Sequence, residues 1–293
     1  MPLINPRPWI LEAQKEGFAI GGFNANNFEQ LQAIVTAAQL EDAPVIVQVS
    51  HRALLYLGNG NEIDGLRYFA AVGKIAAESV DAPIALHLDH GTENEAVLAI
   101  ELGFTSVMFD GGEYSFEENI AISKKISDLA HSMNVCMEAE IGTVPKPDGE
   151  EVNLSDLVLT DPDDALKFVN ETGVDMLAIA LGSVHGMQTK ENDLDLGRLE
   201  QIRAKVDLPL VLHGSSGVTN EAIQSAIKMG LSKINIATQL NKAFTSGVRN
   251  ALEENSSLVD PRKYLGRGMA LQTEVVRERI RFLGSSGKAG LSK

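Results

Sequence analysis

Short apolar segments rich in β-branched residues alternate along the whole chain with longer segments of helical periodicity, and this alternation constrains the fold most strongly. Each longer segment can form the right-handed crossover helix that joins two parallel strands. The predicted strands cover residues 19–23, 44–48, 84–88, 106–109, 135–139, 176–180, 209–212 and 233–236. These strand–helix units predict an α/β fold, the closed (β/α)8 TIM barrel. An open doubly wound sheet would carry a nucleotide-binding glycine pattern after its first strand, and this chain does not.

The intervening helices are expected at residues 27–41, 94–102, 116–133, 163–172 and 219–229. Gly103, Gly173 and Gly230 stand just before the next strand, where a left-handed residue commonly ends a helix. No low-complexity linker divides the pattern. We therefore expect residues 1–293 to form one barrel domain, with a C-terminal helical extension from about residue 260.

The composition is that of a globular protein, with 44% hydrophobic and 22% charged residues. A net charge of -15 would repel nucleic acid and acidic membrane surfaces, so neither is expected as a partner. The chain has no apolar run long enough to span a membrane and no secretory signal pattern, which predicts a cytoplasmic protein. Cys136 is the single cysteine, so any metal must be bound by His, Asp or Glu side chains.

Polar residues follow every predicted strand, where a barrel places its active site. They are Asn24, Ser50, Asp89, His90, Asp110, Glu140, His185, His213 and Asn235. Among them, His90, His185 and His213 follow three different strands and could converge on one point. Three histidines with an open fourth position are typical of catalytic zinc. The alternative is that each histidine only hydrogen-bonds its own loop.

Asp89 precedes His90 and could exchange a proton with a substrate hydroxyl, or it could cap a helix or orient a ligand histidine. Asp110 and Glu140 could bind a second cation or orient ligands and cap helices.

Three further histidines lie outside this set. His87 is expected either to support the metal site or to lie in the core, whereas His51 and His131 are expected in loops or on the surface.

Two neighbouring loops favour a phosphate ester as substrate. The seventh strand leads into HGSSG at 213–217, and the eighth leads through NIAT at 235–238 into a helix. Small residues and a helix N-terminus are suited to binding an anion. No lysine lies at the end of a predicted strand to form a Schiff base, since Lys233 starts the eighth strand; carbon–carbon bond chemistry would therefore rely on a metal.

Five motifs resemble those of the class II ketose-bisphosphate aldolases, in the same order and with similar spacing. They are LHLDHG at 86–91, EAEIGT at 138–143, GSVHG at 182–186, VLHG at 211–214 and KINI at 233–236, and GSSGK at 284–288 is also similar. The resemblance covers nearly the whole chain.

The resemblance implies zinc held by His90, His185 and His213, with Asp89 exchanging the proton of the C4 hydroxyl of a ketose phosphate. It implies a dihydroxyacetone phosphate site lined by Gly186, Gly214, Ser216, Asn235 and Thr238, with a monovalent cation, Na⁺ or K⁺, nearby. Asn24 and Ser50 would contact substrate, and Asp110 and Glu140 lie where some members bind an additional metal. Arg277 would reach the distal phosphate of a neighbouring subunit, which implies a homodimer or homotetramer.

The chain departs from the family pattern after Thr143, where members usually continue with a glycine pair and acidic residues. This loop reads VPKPDGEE at 144–151. The family places there the acid that exchanges a proton with dihydroxyacetone phosphate, and Glu150 is the prediction, with Glu151 and Asp148 as alternatives. The two prolines and the lysine of this loop indicate a modified substrate, altered loop closure or family drift.

Ala237 is the second departure, because fructose-bisphosphate enzymes often have Asp or Asn there and tagatose-type enzymes often have Ala. The predicted substrate is fructose 1,6-bisphosphate, cleaved to dihydroxyacetone phosphate and an aldehyde such as glyceraldehyde 3-phosphate. The alternatives are tagatose 1,6-bisphosphate, a phosphorylated inositol-breakdown acid or a sulfonated sugar phosphate. A metal-dependent hydrolase and a non-catalytic sugar-phosphate binding protein are the alternatives of another class.

Overall fold

The computed structural model describes residues 3–145, 158–187 and 193–292. Its strands form a closed parallel barrel in sequence order, with the first strand paired to the eighth. The strands are β1 (Ile20–Asn24), β2 (Val45–Ser50), β3 (Ile84–Gly91), β4 (Ser106–Phe109), β5 (Cys136–Ile141), β6 (Met176–Ile179), β7 (Leu210–Leu212) and β8 (Leu231–Ile236). This confirms the predicted TIM barrel; the eighth strand begins two residues earlier than expected.

Helices connect the strands and cover the outside of the barrel. Those in the described residues are α1 (Arg7–Glu16), α2 (Phe28–Leu40), α3 (His51–Leu57), α4 (Glu62–Glu78), α5 (Glu93–Glu101), α6 (Phe116–Ser132), α7 (Pro162–Thr172), α8 (Leu196–Lys205), α9 (Asn220–Lys228), α10 (Thr238–Glu254) and α11 (Pro261–Leu283). The predicted stop residues Gly103, Gly173 and Gly230 have positive φ angles of 89°, 68° and 104°. In the described part of the chain, no helix has the length and hydropathy needed to cross a membrane.

The N-terminal end of the barrel is closed by α1. Trp9 and Ile10 are fully buried and pack in one apolar cluster with residues of β1, β2, β3, β5, β6 and β7. Burying a large side chain such as that of Trp9 contributes roughly 1.5–3 kcal/mol. This plug leaves the opposite, C-terminal end as the open face of the barrel.

Alternate residues of each strand point inward, so the barrel interior is built in layers. Above the apolar plug lies a buried polar layer that includes His87 of β3, Glu138 of β5 and Lys233 of β8. Two residues further along the same strands come Asp89, Glu140 and Asn235. Because every second residue of a strand faces inward, these strands place charged side chains inside the barrel, and the layer with Asp89, Glu140 and Asn235 lies nearer its C-terminal opening.

Candidate active site

A cavity of about 700 Å³ opens at the C-terminal end of the barrel. Most of the predicted site residues that the structure describes line it, and they come from all strands except β5. These are Asn24, Ser50, Asp89, His90, Asp110, His185, Gly186, Gly214, Ser216, Asn235 and Thr238. One cavity therefore brings together two of the three predicted histidine ligands, the predicted proton acceptor and both predicted phosphate loops.

The three histidines form a compact cluster. Each of His90, His185 and His213 offers a ring nitrogen, and these nitrogens lie within 4.8 Å of one another. The ring centroids are 4.7 Å apart for His90 and His213 and 5.2 Å apart for His90 and His185. The backbone N–H of His185 donates to Pro145 O at 3.0 Å, which ties the loop after β6 to the loop after β5.

Asp89 and His90 are consecutive residues, yet both face the cavity. In a regular strand, neighbouring side chains point to opposite faces. Here the register between β3 and β4 shifts between Leu88 and Gly91, and His90 has a positive φ of 54°. A left-handed conformation is uncommon for a residue with a side chain and costs roughly 1–2 kcal/mol. The irregularity therefore places two functional side chains side by side.

Carboxylates orient two of the histidines. His90 Nδ1 lies 2.8 Å from Asp110 Oδ2, while its Nε2 is buried and has no hydrogen-bond partner among the described residues. His213 Nδ1 lies 2.6 Å from Glu140 Oε2, and its Nε2 lies 2.8 Å from Glu138 Oε1. Burial alone would lower the pKa of His213, but the bonds to Glu138 and Glu140 outweigh it and raise the pKa to about 10.

Behind His213 lies the buried polar layer, which we call the Glu138–Lys233 network. Lys233 Nζ lies 2.8 Å from Glu138 Oε2 and 3.5 Å from His87 Nε2, and His87 Nδ1 lies 2.7 Å from Ser106 Oγ. Burial would raise the pKa of Glu138, but Lys233 and the His213 hydrogen bond lower it well below its ordinary value. Burial and the charge of Lys233 lower the pKa of His87 to about 3. Glu138 is thus a fixed anion beneath the histidine cluster.

Two amide groups hold Asp89 in place. Asn24 Nδ2 donates to Asp89 Oδ2 at 2.9 Å, and Asn235 Nδ2 donates to Asp89 Oδ1 at 2.9 Å. Burial would raise the pKa of this carboxyl, but the charges of His90, His213, Lys233 and His87 lower it to about 2. Helix α5 is capped by Thr92, so the alternative of Asp89 as a helix cap is wrong. Asp89 is an ionised, oriented carboxylate at the cavity wall.

The two predicted phosphate loops are joined to each other. Ser215 Oγ donates to Asn235 O at 2.5 Å, which links the loop after β7 to the end of β8. Gly214 has a φ of 64°, and a Cβ there would lie 2.9 Å from the backbone carbon of Val184. Thr238 is the first residue of the long helix α10, so the N-terminus of that helix faces the cavity. Backbone N–H groups and a helix N-terminus together are well suited to an anion.

Some predicted residues do not line the cavity. His213 and Glu140 are buried against each other. Arg277 lies on α11, where it pairs with Glu41 at 2.8 Å and Glu274 at 2.9 Å. Glu150, with Glu151 and Asp148, lies outside the described residues. His131 lies near the surface, as expected, and pairs with Asp175.

His51 was expected in a loop or on the surface, but it begins α3 and lines the cavity, and its Nδ1 lies 2.6 Å from Glu95 Oε1. The sequence prediction also missed Glu138 and the role of Lys233. Their positions two residues before Glu140 and Asn235 could have indicated that both point inward.

Comparisons with known proteins agree with this site. The sequence profile described as "Fructose-bisphosphate aldolase class-II" matches residues 5–288. A fructose-bisphosphate aldolase from Staphylococcus aureus is 39% identical over 290 residues, covering 99% of this chain and 100% of that protein. The corresponding protein from Geobacillus stearothermophilus is 40% identical, with 99% of each chain covered.

A solved structure, that of the YdjI aldolase from Escherichia coli K12, superposes with a TM-score of 0.83 at 32% identity, covering 98% of this chain and 99% of that chain. The matched region thus extends over the whole barrel and spans the positions of all five motifs. The chain is an aldolase, a carbon–carbon lyase of carbohydrate metabolism, and it belongs to the class II fructose-bisphosphate aldolase family.

Proposed function

We propose that this aldolase reversibly cleaves fructose 1,6-bisphosphate into dihydroxyacetone phosphate and glyceraldehyde 3-phosphate. The observation that carries the proposal is that one cavity is lined by His90 and His185 of the histidine cluster, by the oriented carboxylate of Asp89 and by the two linked loops, with the buried His213 next to His90. Curated relatives that cover the whole chain carry the name fructose-bisphosphate aldolase, which supports this substrate first. Ala237 lines the same cavity, and tagatose-type enzymes often have Ala at this position, so tagatose 1,6-bisphosphate is the main alternative substrate.

His90, His185 and His213 would hold a zinc ion. The residues fit such an ion because the three ring nitrogens converge and His90 Nε2 is buried without a hydrogen-bond partner among the described residues. Glu138 is also bonded to Lys233, so it keeps the Nε2 proton of His213 in place and leaves Nδ1 as the ligand atom. A bound zinc ion would polarise the ketose carbonyl and stabilise the negative charge that develops on the triose half.

Asp89 would act as the base in the cleavage direction. Its ionised carboxylate accepts the proton of the C4 hydroxyl, the C4 carbonyl forms, and the C3–C4 bond breaks with its electron pair left on C3. Asn24 and Asn235 hold the carboxylate in one orientation, so the proton is transferred without rearrangement of the side chain. In the synthetic direction the same carboxyl returns the proton to the new hydroxyl.

A second acid must deliver a proton to C3 of the triose half. Glu150 is proposed for this step, with Glu151 and Asp148 as alternatives; all three belong to the segment outside the described residues.

The phosphate of dihydroxyacetone phosphate would bind between the loops after β7 and β8. Gly186, Gly214, Ser216, Asn235 and Thr238 would line this subsite, with a Na⁺ or K⁺ ion nearby. Ser216 Oγ is buried and has no hydrogen-bond partner within the described ranges, which supports a role as a donor to the phosphate. Asn24 and Ser50 would contact the remainder of the sugar.

Asp110 hydrogen-bonds to His90 Nδ1 and leaves His90 Nε2 for the zinc ion, which favours an orienting role for Asp110 over an additional metal site. Glu140 contacts His213 at Nδ1, the atom proposed to bind zinc, so this hydrogen bond would give way to the ion, and Glu140 stays a candidate ligand of an additional metal. Arg277 would act across an interface in a homodimer or homotetramer.

The main experiment measures triose phosphate release from fructose and tagatose 1,6-bisphosphates before and after chelation, and after zinc is restored. Asp89→Asn should lower kcat by about 10²–10⁴-fold while the bound zinc content stays unchanged. Asp207→Asn, at an exposed surface position, is the matched control. Activity that survives complete metal removal would refute the metal-dependent mechanism, and loss of zinc from Asp89→Asn would make Asp89 a metal ligand.

The loop acid needs a separate experiment. Glu150→Gln should slow the exchange of a C3 proton of dihydroxyacetone phosphate with solvent, measured by NMR in D₂O without any aldehyde. Exchange at the wild-type rate would transfer the role to Glu151 or Asp148.

A further inference from the structure

The cavity has two chemically different sides. The loops after β7 and β8, proposed to bind the phosphate of the triose half, form one side. Residues at or just after the ends of β2 and β4 form another part of the wall, and they are Ser50, His51, Arg52, Asp110, Glu113 and Tyr114. Because the strands run in order around the barrel, β3 lies between β2 and β4, so Asp89, the proposed base for the C4 hydroxyl, belongs to the β2–β4 side. A ketose bound by its 1-phosphate would therefore extend its aldehyde half toward the β2–β4 wall.

Arg52 is the one arginine or lysine among the described residues that line this cavity. Three carboxylates, Asp89, Asp110 and Glu113, are also among the described residues that line the cavity. In a chain with a net charge of -15, an anionic substrate needs a local cation to offset the general repulsion. The side chain of Arg52 is exposed, so its guanidinium is accessible from solvent.

The backbone that carries Arg52 is held firmly. Arg52 is the second residue of α3, and Ala53 and Leu54, which follow it, are buried. His51 is bonded to Glu95, which is 3% exposed and also accepts hydrogen bonds from the backbone and side chain of Thr92. Thr92 follows His90 by two residues. The position of Arg52 is thus fixed relative to the strand that carries Asp89 and His90.

We propose that Arg52 binds a negatively charged group at the far end of the aldehyde half of the substrate, either a phosphate or a carboxylate. The inference rests on the proposed aldolase function and narrows it to anionic aldehydes. A guanidinium presents paired donors that match the oxygens of both groups. Arg52 lines the cavity of its own chain and Arg277 does not, which favours Arg52 as the residue that selects the aldehyde.

The test measures kcat/KM in the synthetic direction with dihydroxyacetone phosphate and three aldehydes. They are glyceraldehyde 3-phosphate, an aldehyde of similar length that ends in a carboxylate, and uncharged glyceraldehyde. Arg52→Gln should reduce the preference for the better anionic aldehyde over glyceraldehyde by about ten- to a hundredfold, mainly through KM, as expected for loss of a charged hydrogen-bonded pair. The aldehyde most affected identifies the anionic group.

Two further variants sharpen the result. Arg52→Lys should recover part of the preference, because the charge remains while the paired donors are lost. Arg267→Gln, an exposed arginine of α11 paired with Glu254, is the matched control and should keep the wild-type preference.

An equal loss for all three aldehydes, or no loss, would overturn the assignment of Arg52. An anion-selective loss in Arg277→Gln together with none in Arg52→Gln would overturn it in favour of a site across the subunit interface. The exchange of the C3 proton of dihydroxyacetone phosphate needs no aldehyde, so it tests the proposed aldolase function separately from the proposed role of Arg52. Wild-type enzyme without exchange or aldol activity would refute the proposed function itself, whereas normal exchange with unaltered aldehyde preference refutes only the role of Arg52.

Discussion

Replacing Lys233 with Met should destabilise the barrel strongly. Lys233 and Glu138 are both completely buried, and Lys233 Nζ lies 2.8 Å from Glu138 Oε2. Methionine fills a similar volume but removes the Lys233 ammonium that pairs with the Glu138 carboxylate. Breaking a buried ion pair from one side typically costs about 3–5 kcal/mol. Because His213 still donates to the other carboxylate oxygen, we expect a loss of about 3 kcal/mol, at the lower end of that range.

The double variant Glu138→Gln/Lys233→Met removes both charges together. Pairs of buried charges replaced jointly often cost little, because their desolvation is removed along with their attraction. The double variant should therefore lose less free energy of unfolding than the sum of the two single variants, with a coupling of about 2 kcal/mol.

The assay is urea unfolding followed by circular dichroism, at one protein concentration and with zinc either saturating or removed, because ligands and subunit association shift apparent stability. Arg267→Met is the control, since its pair with Glu254 is largely exposed and such pairs contribute less than about 1 kcal/mol. A loss below about 1 kcal/mol for Lys233→Met, or strict additivity in the double variant, would refute the reasoning.

Three further predictions concern the C-terminal helix, a phosphate loop and a metal ligand. Glu41 is buried between Arg277 and Arg281. Burial would raise the pKa of its carboxyl, but the hydrogen bonds from Arg281 and Arg277 outweigh burial and lower the pKa. The contribution of ionised Glu41 to the stability of the fold is therefore complete above about pH 4.5 and is lost as the pH falls. Glu41→Gln should accordingly lower the Tm more at pH 7 than at pH 4. An equal decrease in Tm at both pH values would exclude these ion pairs as the source of the stabilisation. Gly214 has a φ of 64°, and a Cβ added there would lie close to the Val184 backbone. Gly214→Ala should therefore displace the loop through strain of about 1–2 kcal/mol and raise the KM for dihydroxyacetone phosphate at least about tenfold. An unchanged KM would argue against phosphate binding at this loop. Asp110→Asn should weaken zinc binding about 10–100-fold in a competition with a chelator, and unchanged affinity would show that Asp110 does not orient His90.

Much of the architecture could be predicted from local pattern alone. Apolar runs predicted all eight strands to within two or three residues, because each strand is buried on both faces and must be nearly continuous in hydrophobic residues. Because a TIM barrel places its active site at the C-terminal ends of its strands, the polar residues at the predicted strand ends were enough to select His90, His185, His213 and Asp89 as candidates.

Residues in the barrel interior were harder to predict. Glu138 and Lys233 are 95 positions apart, and His51 and Glu95 are 44 positions apart, so each pair depends on strand register and on the packing of separate loops. The left-handed conformation of His90 accompanies the shifted register between β3 and β4, which depends on the pairing of two separate strands.

The sequence by itself determined the fold, the family and the residue types that meet at the mouth of the barrel, because periodicity and strand-end position are properties of short segments. Only the tertiary structure decided which carboxylate orients which histidine, that Lys233 is a buried counter-ion, and that Arg52 rather than Arg277 lines the cavity of its own chain. The physical reason is that hydrogen bonds and ion pairs require groups within about 3–4 Å of each other, and closure of the sheet into a barrel is what brings side chains from distant strands to that separation.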